Sequence, residues 1–182
     1  MSTERKAPEA EVSLPSGVTA SLDGPILRVR GALGQVSRNL ARMPVQVELE
    51  DGRIRVRTYG ARRKQLAIVN TVRSLIQAMV FGVTKGYTYR LKVVYAHFPL
   101  SVKVKEKEVH IENFYGERAP RIARIVGDCK VSVEGDDVVI QGLSLEQVGQ
   151  TAANLEAATS VKRKDQRVFL DGIYVYEKIR GK

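Results

Sequence analysis

A chain of 182 residues with 30 Lys and Arg against 20 Asp and Glu carries a formal charge of +10, and 43% of it is hydrophobic and 27% charged. That apolar share supplies one medium core or two small ones and excludes wholesale disorder. No apolar run approaches the roughly 20 residues of a spanning helix, so no membrane partner is expected. The single cysteine, Cys129, excludes an internal disulfide, and no Cys and His cluster accompanies it for zinc. The opening MSTERKAPEAEVSLP mixes both charge signs without a signal-type apolar stretch, which makes the cytosol the expected compartment. An excess of ten positive charges is most simply matched by a polyanion, nucleic acid above all.

In chain order, residues 1–10 are expected to be flexible. Val18 to Arg30 contains a possible hairpin turning at Asp23-Gly24-Pro25. In MPVQVELEDGRIRVR, Val45, Val47 and Leu49 alternate with polar residues, Asp51-Gly52 supplies a turn, and Ile54 and Val56 resume the alternation, which predicts a half-buried β-hairpin. Leu66, Val69, Val72, Ile76, Met79 and Val80 then recur at helical spacing. The join between two halves falls near Gly86 to Arg90, where Tyr89, Leu91, Val93 and Tyr95 start a new alternation. A hairpin around Glu106-Lys107 and another around Gly135-Asp136 follow. They lead into a second helical pattern of Leu145, Val148, Ala152, Leu155 and Ala158, with Ser144 and Gln147 as a capping box. The order of four strands and a helix thus occurs twice.

The expected fold class is α+β, with two tandem similar domains, each a mostly antiparallel β-sheet with an α-helix packed on one face. The N-terminal domain is expected to span 11–87 and the C-terminal domain 88–182, the latter with a basic tail expected to bind RNA.

Catalytic chemistry finds little support. His97 and His110 have no base or ligand at short spacing, and Asp136 and Asp137 sit in a tight turn. GALG at Gly31 to Gly34 is no dinucleotide fingerprint, and GVTKGYT lacks the ending of a phosphate loop. The expectation is no enzyme, no metal site and no cofactor.

Residues 1–87 hold 14 basic and 7 acidic side chains, and residues 88–182 hold 16 and 13. Arg53, Arg55 and Arg57 alternate with Ile54 and Val56, a row that could meet phosphates or simply face solvent. The closing stretch places Lys162, Arg163, Lys164 and Arg167 just beyond the second helix. It then crowds Lys178, Arg180 and Lys182 at the terminus with Tyr174 and Tyr176 alternating among them. Cations for phosphates beside rings for exposed bases suit irregular folded RNA better than a DNA groove. Alanine at Arg163, Lys164 and Arg167 is expected to weaken RNA binding at least about tenfold at about 150 mM salt.

From about Glu11 to Lys182 the chain resembles the sixth large-subunit ribosomal protein family in its archaeal and eukaryotic branch. The stretches that carry the resemblance are GALGQVSR from Gly31, NTVRSLIQAMVFGVTKGY from Asn70, AHFP from Ala96, VGQTAANLE from Val148 and DGIYVYEKIRGK from Asp171. It implies a structural constituent of the large subunit, bound to 23S-type rRNA near the factor-binding region and the sarcin-ricin loop, beside neighbouring large-subunit proteins near the stalk base. It implies neither catalysis nor obligate homo-oligomerisation. Family-style contacts would fall on Lys162, Arg163, Lys164, Arg167, Lys178, Arg180 and Lys182. Ala32 and Leu33 stand where a Pro-Lys pair is usual in the bacterial form. The stretch from Asn113 to Val126 is similar to the longer connection of the archaeal and eukaryotic branch, with Arg121 and Arg124 able to clamp RNA. The alternative is a cytosolic protein-interaction module without direct RNA binding.

Overall fold

The computed structural model describes residues 8–60, 62–96, 98–162, 164–165 and 167–181, and the chain divides into two units, Met1–Lys85 and Gly86–Lys182. In the first, β1 (Glu9–Ser13), β5 (Val45–Glu50) and β6 (Arg53–Thr58) form an antiparallel sheet in the order β1-β6-β5. A second sheet joins β2 (Thr19–Asp23), β3 (Ile26–Gly31) and β4 (Gly34–Asn39) in the order β2-β3-β4. Alternation decides which side is inside: Ile54, Val56 and Thr58 of β6 are buried, as are Leu27 and Val29 of β3.

Helix α1 (Arg63–Thr84) covers both sheets, burying Val69, Val72, Ile76, Met79, Val80 and Val83. By length and composition α1 is apolar enough to cross a membrane, which the absence of a continuous apolar run did not foretell. Its exposed face, however, carries Asn70, Arg73, Ser74 and Gln77, the pattern of an amphipathic core helix. Gln65 serves its N-terminus: the Arg62 N–H donates to Gln65 Oε1 at 2.6 Å, and Gln65 Nε2 donates to the Tyr59 carbonyl at 2.5 Å.

The second unit repeats the plan. β7 (Tyr87–Val94), β11 (Lys130–Glu134) and β12 (Asp137–Gly142) pair in the order β11-β12-β7, as β5, β6 and β1 do. β8 (Ser101–Lys105), β9 (Glu108–Glu112) and β10 (Arg121–Arg124) repeat β2, β3 and β4. Helix α2 (Leu145–Ala158) packs against β7, β10 and β12 through Val148, Thr151, Ala152 and Leu155. A last strand, β13 (Gly172–Arg180), pairs with the free side of β7, so the equivalent of the β1 edge is occupied here.

Each half therefore has six strands before its helix rather than the expected four. Strands β1, β4 and β10 are short and largely polar, and β1 gains its pairing only from β6, distant in sequence. Residues 1–7 of the stretch expected to be flexible lie outside the described residues, but Glu9 and Ala10 are ordered in β1 opposite Arg57 and Val56. The capping box on α2 also differs. Ser144 occupies the N-cap position without a side-chain cap bond, and the Gln147 side chain lies against Gly127 instead.

Candidate nucleic-acid interface

The arginine row of β6 is neutralised within its own sheet. Arg55 reaches Glu9 at 2.9 Å, Glu50 at 2.6 Å and Glu11 at 3.1 Å; Arg57 meets Glu9 at 3.3 Å and Glu48 at 3.8 Å; Arg53 meets Glu11 at 3.5 Å. The cause is register: Arg55 stands between Glu11 on β1 and Glu48 on β5, and Arg57 stands opposite Glu9. The hydrogen bond with Glu11 raises the Arg55 pKa, so the guanidinium is held charged. Three cations facing four carboxylates leave no net positive charge for phosphates.

In the second unit, several described residues between α2 and β13 are held by hydrogen bonds. The Asp165 carboxylate accepts the Arg167 N–H at 2.9 Å, and its carbonyl accepts from Val168 and Phe169. Asp171 is buried and accepts the Ala96 N–H at 2.7 Å, tying the AHFP turn to the start of β13. Lys164 places its ammonium 4.6 Å from the Tyr115 ring centre and 4.7 Å from that of Phe169, a cation held between two aromatic rings. Lys162 and Arg167 are exposed and make no ion pair among the described residues. Arg163 and Lys182 lie outside the described residues, as does His97.

Along β13 the expected alternation is interrupted. Tyr174 faces Lys92 and Val175 faces Leu91, but the next pairing is Glu177 with Arg90, so Tyr176 is the extra residue of a bulge. Beyond it, Lys178 faces Tyr89 and Arg180 faces Tyr87, and Lys178 Nζ lies 5.5 Å from the Tyr89 ring centre. The slip sends Lys178 and Arg180 to the sheet face of Leu91, while Tyr174 stays on the face of Lys92. Tyr174 and Tyr176 remain exposed, at 46% and 52%. One side of the sequence-level patch thus holds Tyr174, and the terminal cations belong to the other.

Arg121 is engaged within the fold. It bonds the Glu117 carboxylate at 2.8 and 2.6 Å, donates to the carbonyls of Ala158 and Ser160 at 3.0 and 3.2 Å, and stacks 4.2 Å from the centre of the Phe114 ring. It caps carbonyls at the C-terminal end of α2, where the helix dipole favours a cation. Arg124 differs: it is exposed at the end of β10, opposite Glu108, and no ion pair holds it among the described residues.

His110 Nε2 lies 3.4 Å from Glu108, Cys129 is half-buried with burial pushing its thiol up, and no group of three metal-ligating side chains occurs among the described residues.

Comparison with known proteins agrees with this arrangement of two similar units. A family model described as "Ribosomal protein L6" matches residues 14–86 and again 98–172. The chain is 44% identical over 171 residues to the large ribosomal subunit protein uL6 of Staphylothermus marinus, covering 92% of each chain. It is 45% identical over 167 residues to that of Methanothrix thermoacetophila, covering 92% of this chain and 95% of the relative. It is also 45% identical over 175 residues to that of Archaeoglobus fulgidus, with 93% and 89% covered. With both segments matched and nearly the whole length aligned, the chain belongs to the ribosomal protein L6 family.

Proposed function

We propose that the chain is a constituent of the large ribosomal subunit in the cytoplasm, that it has no catalytic activity of its own, and that its second unit holds large-subunit rRNA. The observation that carries this reading is the contrast between the two charge clusters. The β6 arginines are paired with carboxylates of their own sheet, whereas Lys162 and Arg167 stand exposed with no ion pair among the described residues. The exposed Tyr174 on the following strand donates its hydroxyl to the Leu170 carbonyl, and Tyr176 is exposed on the same strand. Phosphate neutralisation favours cations not already matched by carboxylates, and irregular RNA supplies unstacked bases for the rings.

On this reading the RNA contacts are Lys162, Arg163, Lys164, Arg167, Tyr174, Tyr176, Lys178, Arg180, Lys182 and Arg124, while Arg121 positions the loop from beneath. The RNA lies near the factor-binding region and the sarcin-ricin loop, with neighbouring proteins near the stalk base, as the family resemblance implies. The protein braces a folded junction by lowering phosphate repulsion, so its influence on translation is structural.

The test is the affinity of the full chain for large-subunit rRNA. Lys162→Ala with Arg167→Ala is expected to weaken binding about tenfold at about 150 mM salt and to flatten the dependence of affinity on salt, because two phosphate contacts are lost. An unchanged affinity with an intact fold overturns the assignment. Retention of a protein-only complex after nuclease treatment would favour a protein-interaction module instead.

A further inference from the structure

Between the end of α2 and the start of β13 lies a half-open cleft of about 230 Å³, lined by Glu156, Thr159, Ser160, Val161, Phe169 and Tyr174. It is smaller than the roughly 300 Å³ at which ordinary small-molecule sites begin, and it suits one planar ring system. Resting on the rRNA-binding reading above, we propose that this cleft receives a single unstacked guanine, read by the Glu156 carboxylate.

Four features argue for it. Glu156 is positioned by the fold, since its Oε1 accepts the Val175 N–H at 2.9 Å, and a carboxylate with about four acceptor sites keeps most of them for a ligand. Thr159 is already engaged, accepting from the Ile173 N–H at 3.0 Å and donating to the Leu155 carbonyl, which leaves the Glu156 carboxylate as the charged group of the lining, beside the Ser160 hydroxyl. Two aromatic side chains line the cleft, and Tyr174 is set in place by a close approach. A Cβ on Gly172 would stand 2.9 Å from its ring, and its hydroxyl donates to the Leu170 carbonyl at 3.2 Å. Finally, a carboxylate near a helix C-terminus repels phosphate, while Lys162, Lys164 and Arg167 on the adjoining loop attract it. That division suits a nucleotide whose base enters and whose backbone stays outside. A cationic peptide segment would meet the same three cations unfavourably.

Guanine is selected because its Watson–Crick edge carries an N1–H and an N2 amine side by side, which a carboxylate accepts as a pair; adenine offers one amine beside an acceptor nitrogen.

The experiment uses the full chain and RNA heptamers of uridine with guanosine, inosine or adenosine at the centre, alongside all-uridine RNA. Anisotropy reads affinity and the Ile173 and Val175 amide resonances report on the cleft. The guanosine heptamer is expected to bind at least tenfold tighter than the adenosine one, with inosine between. Glu156→Gln, whose amide oxygen still accepts from Val175, is expected to abolish the discrimination and leave all-uridine binding within twofold. Equal affinities for guanosine and adenosine, or discrimination that survives Glu156→Gln, overturn the guanine site while leaving the rRNA reading intact. Failure of every heptamer and of large-subunit rRNA to bind at low salt overturns both.

Discussion

Arg121 holds Glu117 through two hydrogen bonds, 2.8 and 2.6 Å, while a third nitrogen donates to carbonyls at the end of α2. A single guanidinium therefore joins β10, the turn before it and the helix terminus. Arg121→Ala is expected to destabilise the protein by about 1–2 kcal/mol, since charge-assisted bonds of a half-buried group are lost and the carbonyls are left to water. Urea denaturation checks this. Affinity for rRNA should change less than twofold, which separates a scaffold arginine from a contact.

The same pair predicts an acid response. The Arg121 hydrogen bond holds the Glu117 carboxyl below its ordinary 4.5, and Lys103 does the same for Glu112. Because the folded value is depressed, this stabilisation is present above about pH 4.5 and is lost as pH falls through the folded values. Melting temperature should decline on that acid side. In Glu117→Gln the decline should be shallower; an identical pH profile would contradict the linkage.

The ion-pair lattice on β6 makes a contrasting prediction. Arg55→Ala removes the guanidinium that three glutamates share, so thermal stability should fall at low salt, and the gap to wild type should narrow as salt rises. RNA affinity should stay within twofold. A tenfold loss would return the β6 row to the RNA surface.

Much of the fold was legible because it is periodic. β5–β6, β11–β12 and the buried stripes of both helices each repeat a pattern over enough residues to be seen. Strands β1, β4 and β10 were not, because EAEVS, GQVSRN and RIAR are short and polar, and only a partner such as β6 makes Glu9 and Glu11 strand residues. In the candidate site the identity of the cations was legible, but their availability was not. Whether an arginine is free depends on carboxylates and carbonyls brought from elsewhere, as Ala158 and Ser160 are brought to Arg121. Cross-strand register is likewise invisible in a single strand, which is why the tyrosines and terminal cations of β13 read as one face.

Gly31 shows how the GALG segment is held. A Cβ there would stand 2.8 Å from both the carbonyl oxygen and a methyl of Val83, and the Leu33 N–H donates to that carbonyl at 3.0 Å. Gly31→Ala should cost about 1–3 kcal/mol by forcing the strand away from α1. Calorimetry checks it, and a neutral result would mean the contact yields freely.

The bulge at Tyr176 decides how contributions combine. Tyr174 and Lys178 are four residues apart, and an unbroken strand would aim both at the same partner. With Tyr176 extruded, Lys178 points to the face of Tyr89 and Tyr174 to that of Lys92. Side chains that address separate segments of RNA act independently. The binding losses of Tyr174→Ala and Lys178→Ala should therefore add in the double variant to within about 0.5 kcal/mol. Titration of rRNA against the two single variants and the double variant measures this. A coupling clearly above that figure would place both side chains on one RNA feature and remove the functional meaning given to the bulge.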